Sequence, residues 1–218
     1  AAMGEHSAQF REGIEAAQKI LRSPFVPNRV ADGRKELMSF GGGLKGLPDS
    51  ARNLSLYKDS KGVLLLADAE RGNHMGTAIA REHPTVPVVS TDLNYAGRRV
   101  EGNLTTMRLD NSGKFPFPDN SFTHVVLQKG MCGCTGTHRS CGGIAYTPEC
   151  LTNFFSEVTR VLDKNNPKSV AILNGWIPDA GDFETFRLTL MRHLSRVGLR
   201  AELVEDASGA VHTVRIFP

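Results

Sequence analysis

The chain has 218 residues, of which 40% are hydrophobic and 22% charged, and a formal net charge of +3. That suits one α/β domain with a modest extension. It excludes a membrane span, since no segment approaches ~20 consecutive apolar residues. It also argues against a nucleic-acid partner, which needs clustered Lys and Arg.

In chain order, residues 7–22 place Phe10, Ile14, Ala17, Ile20 and Leu21 on one helical face, and Pro24 and Pro27 end that helix. Residues 28–60 are irregular and Gly-rich, so residues 1–60 read as an N-terminal helical cap or lid, with a flexible linker as the alternative. From residue 61 the pattern changes. The run Gly62–Ala67 is continuously apolar, as in a strand buried on both faces. A helix is expected near 75–83, a strand at 86–91, a short helix at 94–101, and strands at 105–109 and 122–128. Residues 148–162 form an amphipathic helix with Leu151, Phe154, Phe155, Val158 and Leu162 on one face. A strand at 169–173 and a helix at 181–197 follow. The chain closes with strands at 200–204 and 211–217 around a turn at Ser208–Gly209, too close for a crossover and therefore antiparallel. Alternating strands and helices imply a parallel sheet with right-handed crossovers.

In such a sheet, ligands bind beyond the carboxyl ends of the strands. The loops of interest therefore follow Ala67, Thr91, Leu109 and Gln128. Asp92, before Leu93, is placed to accept hydrogen bonds from a ribose diol. Asp110 and Asn111 end the next strand. Taken singly, an Asp at a strand end is more often a cap or turn residue.

Two segments carry a resemblance. Residues 115–130, FPFPDNSFTHVVLQKG, resemble the "lPFpDnsFDvV" segment of class I S-adenosylmethionine-dependent methyltransferases, and residues 156–173, SEVTRVLDKNNPKSVAIL, resemble their "rEiaRVLkPGGrlvi". The resemblance covers roughly residues 61–218. It implies a Rossmann-like α/β fold with helices on both faces and a seven-stranded sheet, six strands parallel and the last antiparallel. It implies S-adenosylmethionine as cofactor, with Asp92 on the ribose and Asp110 on the adenine, and Leu93, Asn111 and Gln128 beside them. The family's first loop, D-x-G-x-G-x-G, is altered here. With Gly72 in register with the last glycine, Asp68 and Glu70 stand at the earlier two and Leu66 at the leading acid. Either Asp68 or Glu70 grips the methionine amino group as a displaced acid, or the site is lost and a scaffold remains.

All four cysteines, Cys132, Cys134, Cys141 and Cys150, lie in the Gly-rich stretch after the fourth strand. Zn²⁺ favours four such ligands, yet Cys-x-Cys with wider gaps is not the usual finger spacing, so close packing of small residues and oxidation to disulfides stay open beside metal. His138, in the same stretch, is a candidate general base. Trp176 is a candidate pocket wall. His124 reads as a satisfied core residue and His74 as the start of the first crossover helix. The basic clusters Arg98–Arg99 and Arg192–Arg200 read as solvated helix faces. The first ten residues lack a basic start and an apolar run, and with the cysteine usage this gives a cytoplasmic protein.

The expected function is methyl transfer to a small-molecule acceptor, with no nucleic acid or membrane partner and with homodimerisation open. The alternative is a non-catalytic, methyltransferase-like binding or assembly module with a cysteine-bound structural metal.

Overall fold

The computed structural model describes residues 25–26, 51–69, 74–127, 147–174, 180–205 and 211–218. Their strands are β1 (Phe25–Val26), β2 (Val63–Leu66), β3 (Val88–Asp92), β4 (Arg98–Glu101), β5 (Leu104–Arg108), β6 (His124–Leu127), β7 (Val170–Asn174), β8 (Arg200–Glu205) and β9 (Val211–Phe217). The helices are α1 (Met75–Glu82), α2 (Pro148–Val161) and α3 (Ala180–Val197), with a 3-10 turn at Leu54–Tyr57. The expected helix at 7–22 and the turn at 208–209 lie outside the described residues.

The strands form one sheet in the order β1-β8-β9-β7-β6-β2-β3-β5-β4. β2 pairs in parallel with β3 and β6, β3 with β5, and β6 with β7. β9 is antiparallel to both β7 and β8, so β8 runs with the parallel set. Six parallel strands and an antiparallel β9 are the sheet that the resemblance implies. β1 adds a further strand alongside β8 and β4 another, antiparallel to β5, so the described residues form nine strands where seven were expected.

Alternation along the central strands divides the core into two layers. Leu64 and Leu66 of β2 meet Val125 and Leu127 of β6 and the apolar faces of α2 and α3 on one side. Val63 and Leu65 meet Ile79 of α1 and Val88 on the other. A strand covered on both faces must be apolar throughout, and all four residues of β2 are buried. Residues 51–60, which composition groups with the cap, pack into the second layer. Tyr57 is fully buried there and donates its hydroxyl to the Ala51 carbonyl at 2.5 Å.

α2 begins as its sequence demands. Thr147 caps it by accepting from the Cys150 amide at 3.3 Å, Pro148 opens the first turn and Glu149 faces the positive end of the dipole. Leu151, Phe154, Phe155 and Val158 are buried, as their spacing requires. The two family-like segments meet on this helix. The Arg160 guanidinium donates to Glu157 Oε2 (2.6 Å), to the carbonyls of Phe115 (2.9 Å) and Phe117 (2.7 Å), and to Asp119 (3.0 Å). Glu157 Oε1 accepts from the Phe115 amide at 3.0 Å. An arginine fork and a carboxylate thus replace the hydrogen bonds that an irregular segment could not make for itself.

The short helix expected at 94–101 is not formed. Residues 98–101 are strand β4, antiparallel to β5, and Arg98–Arg99 is therefore an edge strand and not a helix face. Gly97 (φ +80°) and Gly102 (φ +58°) adopt left-handed conformations that would break a helix, and Gly102–Asn103 makes a two-residue hairpin turn. Asn103 Nδ2 donates to the carbonyls of His83 (3.0 Å) and Val86 (2.7 Å), which pins the turn beneath α1.

His124 is the buried residue its strand pattern suggests. Its Nδ1 lies 2.8 Å from Ser60 Oγ, its ring meets Tyr57 edge-on, and burial pushes its pKa down to about 4. The folded protein keeps this imidazole neutral while the unfolded chain protonates near pH ~6.5. Acidification from about pH 6.5 to 4 should therefore remove stability, on the order of 3 kcal/mol from this group. Buried His193, also shifted down by burial, acts in the same direction. Urea titrations at pH 7 and 4.5 should show a clearly smaller acid loss in His124→Gln than in the parent. Equal losses would contradict this.

Candidate functional site

The chain moves outward from β2 through β3 to β5, then returns to place β6 on the other side of β2. The strand order reverses there, so the crevice beyond the carboxyl ends of β2 and β6 is where this architecture takes a ligand.

At the end of β2 the chain turns sharply. Ala67 has φ +52°, a left-handed conformation that L-residues rarely adopt. The turn directs the Asp68 side chain inward, where it is 2% exposed. Asp68 Oδ1 accepts from the Met75 amide at 2.8 Å, and Oδ2 accepts from the Gly76 amide at 2.9 Å and from Ser90 Oγ at 2.5 Å. Burial raises the pKa of this carboxyl, and the three hydrogen bonds oppose the rise. The Ser90 hydroxyl spends its single proton on Asp68, so the Tyr95 hydroxyl, 3.1 Å away, donates to Ser90. Burial also raises the Tyr95 phenol. Asp68 thus occupies the first amides of α1, the place where a helix N-terminus would otherwise hold a phosphate. His74 is the N-cap residue but makes no side-chain cap bond, so Asp68 serves in its stead.

Gly76 makes this contact sterically feasible. A Cβ there would lie 2.8 Å from Ser90 Cβ and 2.9 Å from Asp68 Oδ2. Close approach of the first helix to its strand is a role that glycine plays in nucleotide-binding folds generally.

Asp92 ends β3 and is 3% exposed. Its Oδ2 accepts from the Ala69 amide at 3.0 Å and its Oδ1 from the Asn94 amide at 2.8 Å. Its carbonyl accepts from Leu109 N at 3.2 Å. Asp92 therefore ties together the loops after β2, β3 and β5, and each carboxylate oxygen keeps a second lone pair. Leu93 beside it is half-buried. Asp110 is exposed and makes an Asx turn, accepting from Ser112 N at 2.9 Å and Ser112 Oγ at 2.6 Å. Asn111 is buried. Asn153 of α2 holds this loop by donating to the Ser112 carbonyl at 2.7 Å.

The fold brings Asp68 and Asp92 into one hydrogen-bonded hub and sets Asp110 and Asn111 on the neighbouring strand end. Glu70, Gly72, Gln128, Cys132, Cys134, His138, Cys141 and Trp176 lie outside the described residues. Cys150 is half-buried in the first turn of α2, and among the described residues no cluster of metal-binding side chains occurs. Ser90, Tyr95 and Gly76 are absent from the sequence-based site. Gly76 has a signal, being a glycine inside a helical pattern. Ser90 and Tyr95 have none that single-residue reasoning can use.

No family model and no curated protein matches the sequence. The solved structures to which the chain is similar include three methyltransferases. The antibiotic-resistance methyltransferase Kmr is 12% identical over 72% of this chain and 86% of its own, with a TM-score of 0.46. A methyltransferase described as S-adenosylmethionine-dependent, from Aquifex aeolicus, is 14% identical over 72% and 80%, with a TM-score of 0.39. The mitomycin 7-O-methyltransferase MmcR is 11% identical over 77% of this chain, with a TM-score of 0.42, and the chain spans only 54% of its length. At such identities and scores only the site residues themselves can point to a ligand.

In an uncrowded helix, Gly→Ala would stabilise by about 0.5–1 kcal/mol. Gly76→Ala should instead destabilise by roughly 1–3 kcal/mol through overpacking against Ser90 and Asp68. Chemical denaturation checks the sign, and a stabilised variant would contradict the close packing.

Proposed function

We propose that this chain is an S-adenosylmethionine-dependent methyltransferase acting on a small-molecule acceptor. The observation that carries the reading is the buried Asp68 carboxylate across the first amides of α1. A dinucleotide would need those amides, and their positive dipole end, for its pyrophosphate. Asp68 has already taken them, and its charge disfavours a phosphate close by. A cofactor with a cationic sulfonium and no phosphate suits that electrostatic environment.

The described residues also fit the remainder of such a cofactor. Asp92 has lone pairs to spare at the end of β3, where a ribose diol would be received. Asp110 and Asn111 stand one strand further out, on the adenine side. The inward turn of Asp68 removes its side chain from the space that the family's glycine leaves open, so a carboxylate at that position is compatible with a bound ligand. The acceptor would lie on the β6 side, beyond Gln128, with His138 as general base and Trp176 as a wall. The bound cofactor supplies an activated methyl group. The protein contributes alignment of the acceptor with that methyl and exclusion of water. In this reading the thiols of Cys132, Cys134, Cys141 and Cys150 hold no metal.

Calorimetric titration with S-adenosylhomocysteine tests the reading. Asp92→Ala should weaken binding by roughly 1–3 kcal/mol, because a buried hydrogen-bonding carboxylate is lost. Asp110→Ala should weaken it less, since its carboxylate is exposed to solvent. An unchanged affinity in Asp92→Ala would place the ligand elsewhere. Absence of binding by the parent protein would favour the non-catalytic module. Elemental analysis should find negligible zinc, and about one equivalent would reverse the reading of the cysteines.

A further inference from the structure

β4 ends the sheet, and all four of its residues, Arg98, Arg99, Val100 and Glu101, are exposed. Val100 is 59% exposed, more than any other large hydrophobic residue described. An open edge strand is a template for pairing with another chain. Which backbone groups face outward follows from the hairpin. The Arg108 amide donates to the Gly97 carbonyl at 3.3 Å, so that pair is hydrogen-bonded. In an antiparallel ladder, bonded and non-bonded pairs alternate. With Arg98 opposite Met107 and Glu101 opposite Leu104, Arg99 and Glu101 bond inward to β5, and Arg98 and Val100 turn their amides and carbonyls outward.

We propose that β4 is a homodimer interface, on which the β4 of a second copy of this chain adds antiparallel about a two-fold axis at Val100. The backbone allows this register and the side chains select it, since a shift of two residues in either direction would set Arg99 opposite the partner's Arg99 or Glu101 opposite the partner's Glu101. With Val100 opposite the partner's Val100, each donates to the other's carbonyl through groups that the hairpin leaves outward. A register shifted by one residue would set outward groups against inward ones. In the chosen register Arg99 stands opposite the partner's Glu101, and Glu101 opposite the partner's Arg99. These two side chains already pair within one chain, on one face of the strand. Across the axis they form a square in which every nearest neighbour has the opposite sign, which stabilises cross-strand pairing. On the other face the two exposed valines cover each other. An acidic peptide would satisfy Arg99 but be repelled by Glu101, whereas a second copy matches both. Because the two β4 strands are antiparallel, the carboxyl ends of the two sheets point in opposite directions, and both candidate sites remain open.

Sedimentation velocity on the full chain over a concentration series tests the interface. The parent protein should pass from monomer to dimer as concentration rises, the short strand giving a weak association. Glu101→Arg should abolish the dimer by leaving only positive charge around the axis. The double swap Arg99→Glu/Glu101→Arg should restore it, since the square is complementary again with signs reversed. Restoration also shows that a chain carrying the Glu101→Arg substitution folds. A parent protein monomeric throughout, a Glu101→Arg variant that dimerises as before, or a double swap that stays monomeric would each overturn the proposal.

Discussion

The carboxylate of Asp68 organises the end of the sheet at which β2 and β3 finish. Burying an ionisable group beside an apolar layer is costly unless its hydrogen bonds are replaced. Here two helix amides and a serine hydroxyl replace them. The rest of the hub follows from meeting that requirement. α1 must begin where its first amides reach Asp68, so its second residue must be a glycine able to pass Ser90. Ser90 must direct its proton inward, which leaves it able only to accept from Tyr95. The loop after β2 must then fold back so that the Ala69 amide reaches Asp92.

A second network holds the opposite side of the site. Glu157 and Arg160 on α2 grip the segment from Phe115 to Asp119 that leads into β6. Neither residue points to a ligand. Their value is that an irregular loop, which cannot pair its own backbone, reaches β6 in a fixed position. This explains why the two family-like segments occur together in the sequence: each supplies half of one hydrogen-bonded cluster. The resemblance is therefore strongest where the chain is held together, and weakest at the loop after β2, where chemistry would be expected.

Much of the fold is legible from hydrophobic pattern. A strand covered on both faces, such as β2, must be apolar at every position, and α2 must place its large residues at helical spacing. The hairpin at 98–108 escapes such a reading because β4 is wholly exposed and lacks an apolar pattern. Its signal is the Gly102–Asn103 dipeptide, a turn cue that periodicity does not weigh. The site is legible in part. Asp92 and Asp110 can be placed because they end apolar strands. The inward turn of Asp68 cannot, because it depends on the left-handed conformation of Ala67, on the space left by Gly76 and on Ser90 across the sheet, relations between residues distant in sequence.

Asp68 holds the helix amides that a phosphate would need, so the ligand proposed above is a nucleoside with a cationic sulfonium and not a dinucleotide. Parallel calorimetric titrations of the parent protein with S-adenosylmethionine and with NAD⁺ test this most directly. The predicted result is saturable binding of S-adenosylmethionine and none of NAD⁺. Saturable binding of NAD⁺, with S-adenosylmethionine inert, would contradict it.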